Sequence, residues 1–229
     1  MRVAAIQTTP LALDVAGNAV EHARLIAEAA SDVCVFPELS LTGYELDPLS
    51  PITDEDGRLD PVRDACRTDE VYALVGAPLS TSDGVLVATL VVGPTGEVLG
   101  HYGKKHLHGG ERELFVAGDH HLVLEVDDWR LGLAVCYDAA VPEHAEAVRA
   151  GGADAYLVSA LFEEGTEQRL VEQATSAAEL GMWVVLAQYT GRTGGHDTFG
   201  GSGVWRPGGV VQARLGREPG IARATLVRP

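Results

Sequence analysis

Short apolar runs recur along this chain, each divided from the next by a turn or a stretch of helical spacing. Residues 3–7, 33–36, 71–77, 85–92, 98–102, 121–126, 131–136, 156–159 and 183–187 read as strands, and 203–205, 210–214 and 222–226 return to strand at the end. Several runs, such as Val33-Cys-Val-Phe36, are apolar at every position. A short apolar run of this kind reads as a buried strand. Helical spacing marks 18–30, with Asn18 as the expected N-cap, a segment from Pro142 to about Ala150, and 166–180. Helices alternating with short strands give two similar α/β halves, and such halves place helices outside and sheets inside, in layers.

The order of elements nearly repeats. A helix followed by Ala30-Ser-Asp-Val-Cys-Val-Phe-Pro37 is echoed by a helix followed by Ala153-Asp-Ala-Tyr-Leu-Val-Ser-Ala160. No Ser- or Gly-rich linker divides the two halves, and the glycine-rich 191–203 is expected to be a loop within the fold, so residues 1–229 read as one domain. A formal net charge of −16 disfavours nucleic acid and anionic membrane as partners, because both bind positive surface. No run approaches the ~18 apolar residues of a membrane span, and the N-terminus turns polar too early for a secretion signal. The expected location is the cytoplasm. Cys34, Cys66 and Cys136 are odd in number and lack CxxC spacing, which points to free thiols rather than disulfides or a cysteine zinc site.

Residues with chemical potential gather at strand ends. Of 17 Lys and Arg residues only two are lysine, the adjacent Lys104 and Lys105. Lysine is a compact point charge whose proton can move once desolvated, whereas arginine stays charged. Cys136 ends an apolar strand and is followed by Tyr137-Asp138 and a helix after Pro142. A nucleophile at such a tight turn projects from the sheet, and backbone N–H groups there stabilise an oxyanion. A structural cysteine would occupy the same position in sequence. Cys34 lies inside a strand and reads as core; Cys66, on a short polar helix, reads as half-buried. Glu38 ends a buried strand after Pro37, where partial desolvation raises a carboxyl pKa toward neutrality and suits it to act as a base. The histidines offer an alternative: His101, His106, His108, His120 and His121, with Glu111 or Asp119, are donors for a divalent metal, although no HExxH pairing is present. The segment 194–203 lacks a Walker Lys-Ser/Thr ending, which counts against phosphate cradling.

Three segments carry a resemblance. Phe36-Pro-Glu-Leu-Ser-Leu-Thr-Gly-Tyr44, Tyr102-Gly-Lys-Lys-His-Leu107 and Gly132-Leu-Ala-Val-Cys-Tyr-Asp138, with Pro142-Glu143, resemble the glutamate, lysine and cysteine motifs of the nitrilase superfamily of carbon–nitrogen hydrolases. Val3-Ala-Ala-Ile-Gln7, Gly200-Gly-Ser202 and Pro207-Gly-Gly209 resemble its first strand and C-terminal hairpin, so the likeness covers nearly the whole chain. Gly103 departs from it, standing where an arginine is common. The resemblance implies a four-layer αββα sandwich, often paired into a homodimer or higher homo-oligomer, with no metal or organic cofactor. It implies that Cys136 attacks an amide carbonyl, that Glu38 moves the protons, and that Lys104 stabilises the oxyanion with the Tyr137 N–H. Glu111 fits a second glutamate of the family. Tyr44, Glu111, Tyr137 and Ala160-Leu-Phe162 are the implied pocket, with Arg112 or His108 to meet a substrate carboxylate. The implied substrate is a small linear amide, and Cys136-Tyr-Asp138 resembles the branch acting on ω-amides of dicarboxylic acids such as 2-oxoglutaramate. N-carbamoyl compounds, nitriles or a non-catalytic binding role on the same fold are the alternatives.

Overall fold

In the computed structural model, which describes residues 1–228, the unbroken apolar runs become inner strands of two six-stranded sheets. The first sheet draws on β1 (Arg2–Gln7), β2 (Val33–Val35), β3 (Tyr72–Thr81), β4 (Gly84–Val92) and β5 (Val98–Gly103), with α1 (Val15–Ala29) and α2 (Asp60–Asp69) between them. After a short α3 (Glu111–Leu114), the second takes β6 (Val123–Val126), β7 (Trp129–Val135), β8 (Ala155–Ser159) and β9 (Trp183–Ala187), interleaved with α4 (Pro142–Ala150) and α5 (Glu167–Glu179). A hairpin of β10 (Thr190–Thr193) and β11 (His196–Phe199) stands apart. Then β12 (Gly203–Arg206) and β13 (Val210–Arg214) complete the second sheet, and β14 (Gly220–Thr225) returns to the first.

The strand orders are β14-β1-β2-β3-β4-β5 and β6-β7-β8-β9-β12-β13. Each sheet has a parallel centre, β1/β2/β3 or β7/β8/β9, flanked on both sides by antiparallel strands. Laid side by side, β2 and β8 hold the same third position, and they are the two strands of the sequence echo. The helix before each, α1 or α4, is the crossover that a parallel connection requires.

Alternate residues of one strand feed different cores. Val3 and Ala5 join Val35, Val135, Leu157 and Val185 between the sheets. Ala4 and Ile6 face the other way, onto Ala19 and Ile26 of α1 and Val62 of α2. Beyond the second sheet, Tyr156, Val158 and Val184 meet Val148 of α4 and Leu170 and Ala174 of α5. The result is the αββα sandwich. Each fully buried Val, Leu or Ile contributes about 1.5–3 kcal/mol, so burial on both faces of each sheet is what holds the layers together.

Three local expectations are corrected. Helix α1 begins earlier than expected, and Asp14 is its N-cap, accepting from the Gly17 N–H. Asn18 is instead buried in the helix, where it bonds Leu11 and the Leu41 carbonyl. The segment 191–203 is not a plain loop: Thr190 pairs with Phe199 and Thr193 with His196, and Gly194-Gly195 supply the positive φ angles of the turn. Cys66 is fully buried, because the one apolar stripe of α2 carries it onto the sheet. Among the described residues no helix is long and apolar enough to cross a membrane.

Candidate active site

Glu38 is fixed by how β2 ends. Pro37 has no N–H to continue the ladder, and the chain turns through Leu39 at φ +51°. The turn closes directly over Gly76 of β3, where an added Cβ would lie 2.3 Å from the Leu39 nitrogen and 2.4 Å from the Pro37 oxygen. Tyr189, after β9 in the other sheet, donates its hydroxyl to the Glu38 carbonyl at 2.5 Å. The Glu38 side chain is 1% exposed; Oε1 accepts from Lys104 Nζ at 2.6 Å, and Oε2 is buried with no partner among the described residues. Burial raises its pKa and nearby Glu111 adds to this, Lys104 opposes, and the net value is pushed up to about 7.

Lys104 is held where β5 ends. Its N–H bonds the Val87 carbonyl and its own carbonyl accepts from Gly118 N–H, both at 2.8 Å. That second bond needs a bare Gly118, since a Cβ there would stand 2.1 Å from the Gly103 oxygen. Nζ sits between Glu38 Oε1 and Glu111 Oε1, each at 2.6 Å. Burial alone would lower the Lys104 pKa, but Glu38, Cys136 and Glu111 outweigh it and hold the ammonium charged. Glu111 also accepts from the Tyr44 hydroxyl and the His108 N–H, both at 2.7 Å. Lys105 turns away and donates to the Asp119 carbonyl at 3.1 Å.

Cys136 follows β7 with φ +45°, a left-handed conformation that costs a non-glycine residue about 1–3 kcal/mol. It opens a 3-10 turn, Cys136–Ala140, so the strand-to-helix elbow inferred from the sequence is present. Its Sγ donates to the Leu161 carbonyl at 3.3 Å. Burial and then the Glu38 charge push the thiol pKa up, against Lys104, so the resting thiol is protonated.

These residues share a cavity of about 760 Å³, which Tyr44, Tyr137 and Phe162 also line. The cavity wall includes His108, whose ring stacks on Tyr137 at 4.6 Å. Arg112 is corrected: it lines a separate depression with Lys105 and bonds the Leu107 carbonyl. Consecutive helical residues point about 100° apart, so an inward Glu111 sends Arg112 outward. Arg169 of α5 and His196 of β11 line the cavity instead, and neither was anticipated. Nor was Tyr189, whose signal was the one shared by the others, a polar residue just past a buried strand. Of the histidines clustered in sequence only His108 lines the cavity: His106 and His121 pack on the His144 ring, and His120 bonds Asp119. Among the described residues no three His, Cys, Asp or Glu side chains group as metal ligands.

A protonated thiol, a carboxyl of near-neutral pKa with one free oxygen, and a fixed ammonium surround one cavity. Such a set can deliver a nucleophile to a carbonyl and oppose the charge that then develops. Comparison with known proteins agrees in kind. The family profile for carbon–nitrogen hydrolases matches residues 2–229. The hydrolase in the pqqF 5' region of Pseudomonas protegens is 31% identical, over 100% of this chain and 83% of that protein. The 2-oxoglutaramate amidase of Bacillus subtilis is 28% identical, over 86% of this chain and 78% of its own. A structure of the amidase from Nesterenkonia sp. AN1, with acrylamide added to its active-site cysteine, matches with a TM-score of 0.87 at 28% identity, over 99% of this chain and 93% of that one. This chain belongs to the carbon–nitrogen hydrolase family, within the nitrilase superfamily, and is a hydrolase acting on amides.

Proposed function

We propose that residues 1–229 act as one catalytic domain that hydrolyses small linear amides through a Cys136 acyl-enzyme, with ω-amides of dicarboxylic acids as preferred substrates. The observation that carries the mechanism is the convergence of Glu38, Lys104 and Glu111 beside Cys136 in one cavity. Glu38 takes the Sγ proton as sulfur attacks the carbonyl carbon. The oxyanion faces the Lys104 ammonium and the Tyr137 N–H. Glu38 then gives its proton to the leaving nitrogen, the C–N bond breaks and ammonia departs. Water attacks the thioester, loses a proton to Glu38, and the acid leaves as the thiol is reprotonated. Glu111 holds Lys104, and Tyr44, Tyr137 and Phe162 shape the pocket. No cofactor enters the cycle.

Arg169 supports the carboxylate-bearing substrate. It lines the cavity and makes no ion pair among the described residues: Glu163, on the same wall, bonds His196, and Glu164 and Glu167 pair with Arg217. A lone guanidinium on a pocket wall suits a carboxylate, which it can grip with two parallel N–H bonds. The 2-oxoglutaramate amidase among the relatives acts on an amide of this kind. Arg169→Gln is expected to raise KM for succinamate about 10-fold or more, with little change in kcat and no change with neutral butyramide. Equal changes for both substrates would remove Arg169 from recognition. An ammonia-release screen over ω-amides, N-carbamoyl compounds and nitriles tests the substrate class directly; exclusive turnover of either of the latter two overturns it.

The near-neutral Glu38 sets a pH dependence. Its protonated form cannot accept the thiol proton, so kcat/KM should rise with pH through a limb centred near 7. In Glu38→Gln that limb should vanish from the residual rate. Its persistence would assign it to another group.

A cytoplasmic homodimer or larger homo-oligomer is part of the same reading. The cysteines are free thiols, as a reducing compartment keeps them, and Val210 and Val211 are exposed on the edge strand β13.

A further inference from the structure

Lys104 and Cys136 leave strands of different sheets, and a buried polar chain behind the cavity joins them. Asp138 is fully buried and accepts three donors: Val135 N–H at 3.0 Å and Tyr102 OH at 2.8 Å on Oδ2, and His106 N–H at 2.9 Å on Oδ1. Val135 immediately precedes Cys136, and Tyr102 and His106 bracket Lys104. One carboxylate thus grips both the cysteine elbow and the lysine strand end.

Proton counting fixes the rest of the chain. The single Tyr102 proton goes to Asp138, so the Tyr102 oxygen must accept from His144 Nε2, 2.8 Å away. Burial, followed by the charges of His121, His106 and Lys105, holds the His144 pKa down at about 3, so the ring is neutral. With its one proton on Nε2, its Nδ1 accepts from the Tyr156 hydroxyl, also at 2.8 Å. The 4.0 Å approach of His144 to Asp138 is accordingly not an ion pair. None of Tyr102, Asp138, His144 and Tyr156 lines the cavity.

We propose that Asp138 is a positioning residue, oriented by Tyr102 and His144, which locks the cysteine elbow against the lysine strand and so sets where Sγ meets the carbonyl relative to Nζ. The inference rests on the assignment of Cys136 and Lys104 made under the proposed function. It explains why a left-handed Cys136 persists: such a conformation needs surroundings that over-determine it, and Asp138 bonds the residue on its N-terminal side.

Four variants test this, read by kcat and KM on butyramide and succinamate, by the rate of Cys136 alkylation with iodoacetamide (intact mass, across pH), and by Tm. Tyr102→Phe removes both the bond to Asp138 and the acceptor for His144, and should lower kcat about 10-fold with KM within about 2-fold, the scale of a buried hydrogen bond felt in the transition state. Asp138→Asn should lose about 100-fold, because its NH2 confronts donors. His144→Gln keeps an N–H near the Nε2 position and should stay within about 3-fold of the parent, whereas His144→Leu should lose about 10-fold. Alkylation should slow in the same order. Variants that shift Tm alone, with kcat and alkylation unchanged well below Tm, overturn the positioning role. Equal rates for His144→Gln and His144→Leu overturn the orienting chain. Should Asp138→Asn fail to fold, Tyr102→Phe decides; should neither amide be turned over, the alkylation rate decides. Near-normal turnover in Cys136→Ala would sink the underlying mechanism, whereas a dead Cys136→Ala beside an unaffected Tyr102→Phe sinks only the brace.

Discussion

Cys136→Ala is expected to lower amide turnover by about 10⁴-fold or more, the scale on which loss of a covalent nucleophile is felt. The substitution removes Sγ and leaves Glu38 and Lys104 in place, so any residual rate measures what an acid–base pair and an ammonium do for water alone. Two controls make the result specific. Cys34→Ala should keep turnover within about 2-fold and cost about 1 kcal/mol through a small packing defect. Cys34 is fully buried in β2, where burial pushes its thiol up to about 12. Intact mass should then show one acyl adduct in the parent on rapid quench and none in Cys136→Ala. An adduct persisting in that variant would move the nucleophile elsewhere.

Glu38, Lys104 and Cys136 were legible as candidates because each follows a buried strand and differs in kind from what surrounds it: a carboxyl after Phe36-Pro37, a lysine among arginines, a thiol at a strand-to-helix turn; the structure brings the three to one cavity. The layering, helices outside and sheets inside, was legible in the two similar α/β halves, and its four-layer αββα form in the family resemblance. The rest of the cavity wall was not. Arg169 and His196 reach it from α5 and from the β10–β11 hairpin, and which face of a helix overhangs a sheet end depends on layer packing rather than on local spacing. Glycine density hid the hairpin itself, because Gly191, Gly194 and Gly195 read as loop although their positive φ angles are what let Thr190 pair with Phe199. Gly103 is the instructive departure from the family pattern. A Cβ there would lie 3.1 Å from Leu86 Cδ2 and 3.3 Å from the Gly118 Cα, a contact between residues 15 positions apart that no motif records, and the Gly118 N–H helps fix the Lys104 backbone.

Lys104 separates charge from shape. Lys104→Arg is expected to lower kcat/KM about 10³-fold or more while Lys105→Arg stays within about 2-fold, because only the first occupies a closed site. Nζ is completely buried and lies 2.6 Å from both Glu38 and Glu111. A planar guanidinium needs more room than that gap offers, and overpacking a filled interior costs about 1–3 kcal/mol. It would also spread its charge over a fork aimed at the two carboxylates instead of holding a point charge toward the cavity. Lys104→Met goes further: with the cation gone, two buried carboxyls face each other, and breaking such a pair costs about 3–5 kcal/mol. The carboxyls can escape part of that cost only by taking up a proton. Lys104 lowers the Glu38 pKa in the parent, so its loss raises that pKa further. Two readouts should therefore move together in Lys104→Met: Tm falls more at pH 8 than at pH 6, and the acid limb of the residual rate shifts upward from its position near 7. A Lys104→Met variant whose limb stays in place would show that Lys104 does not govern Glu38, and an active Lys104→Arg would show that the site needs only a positive charge.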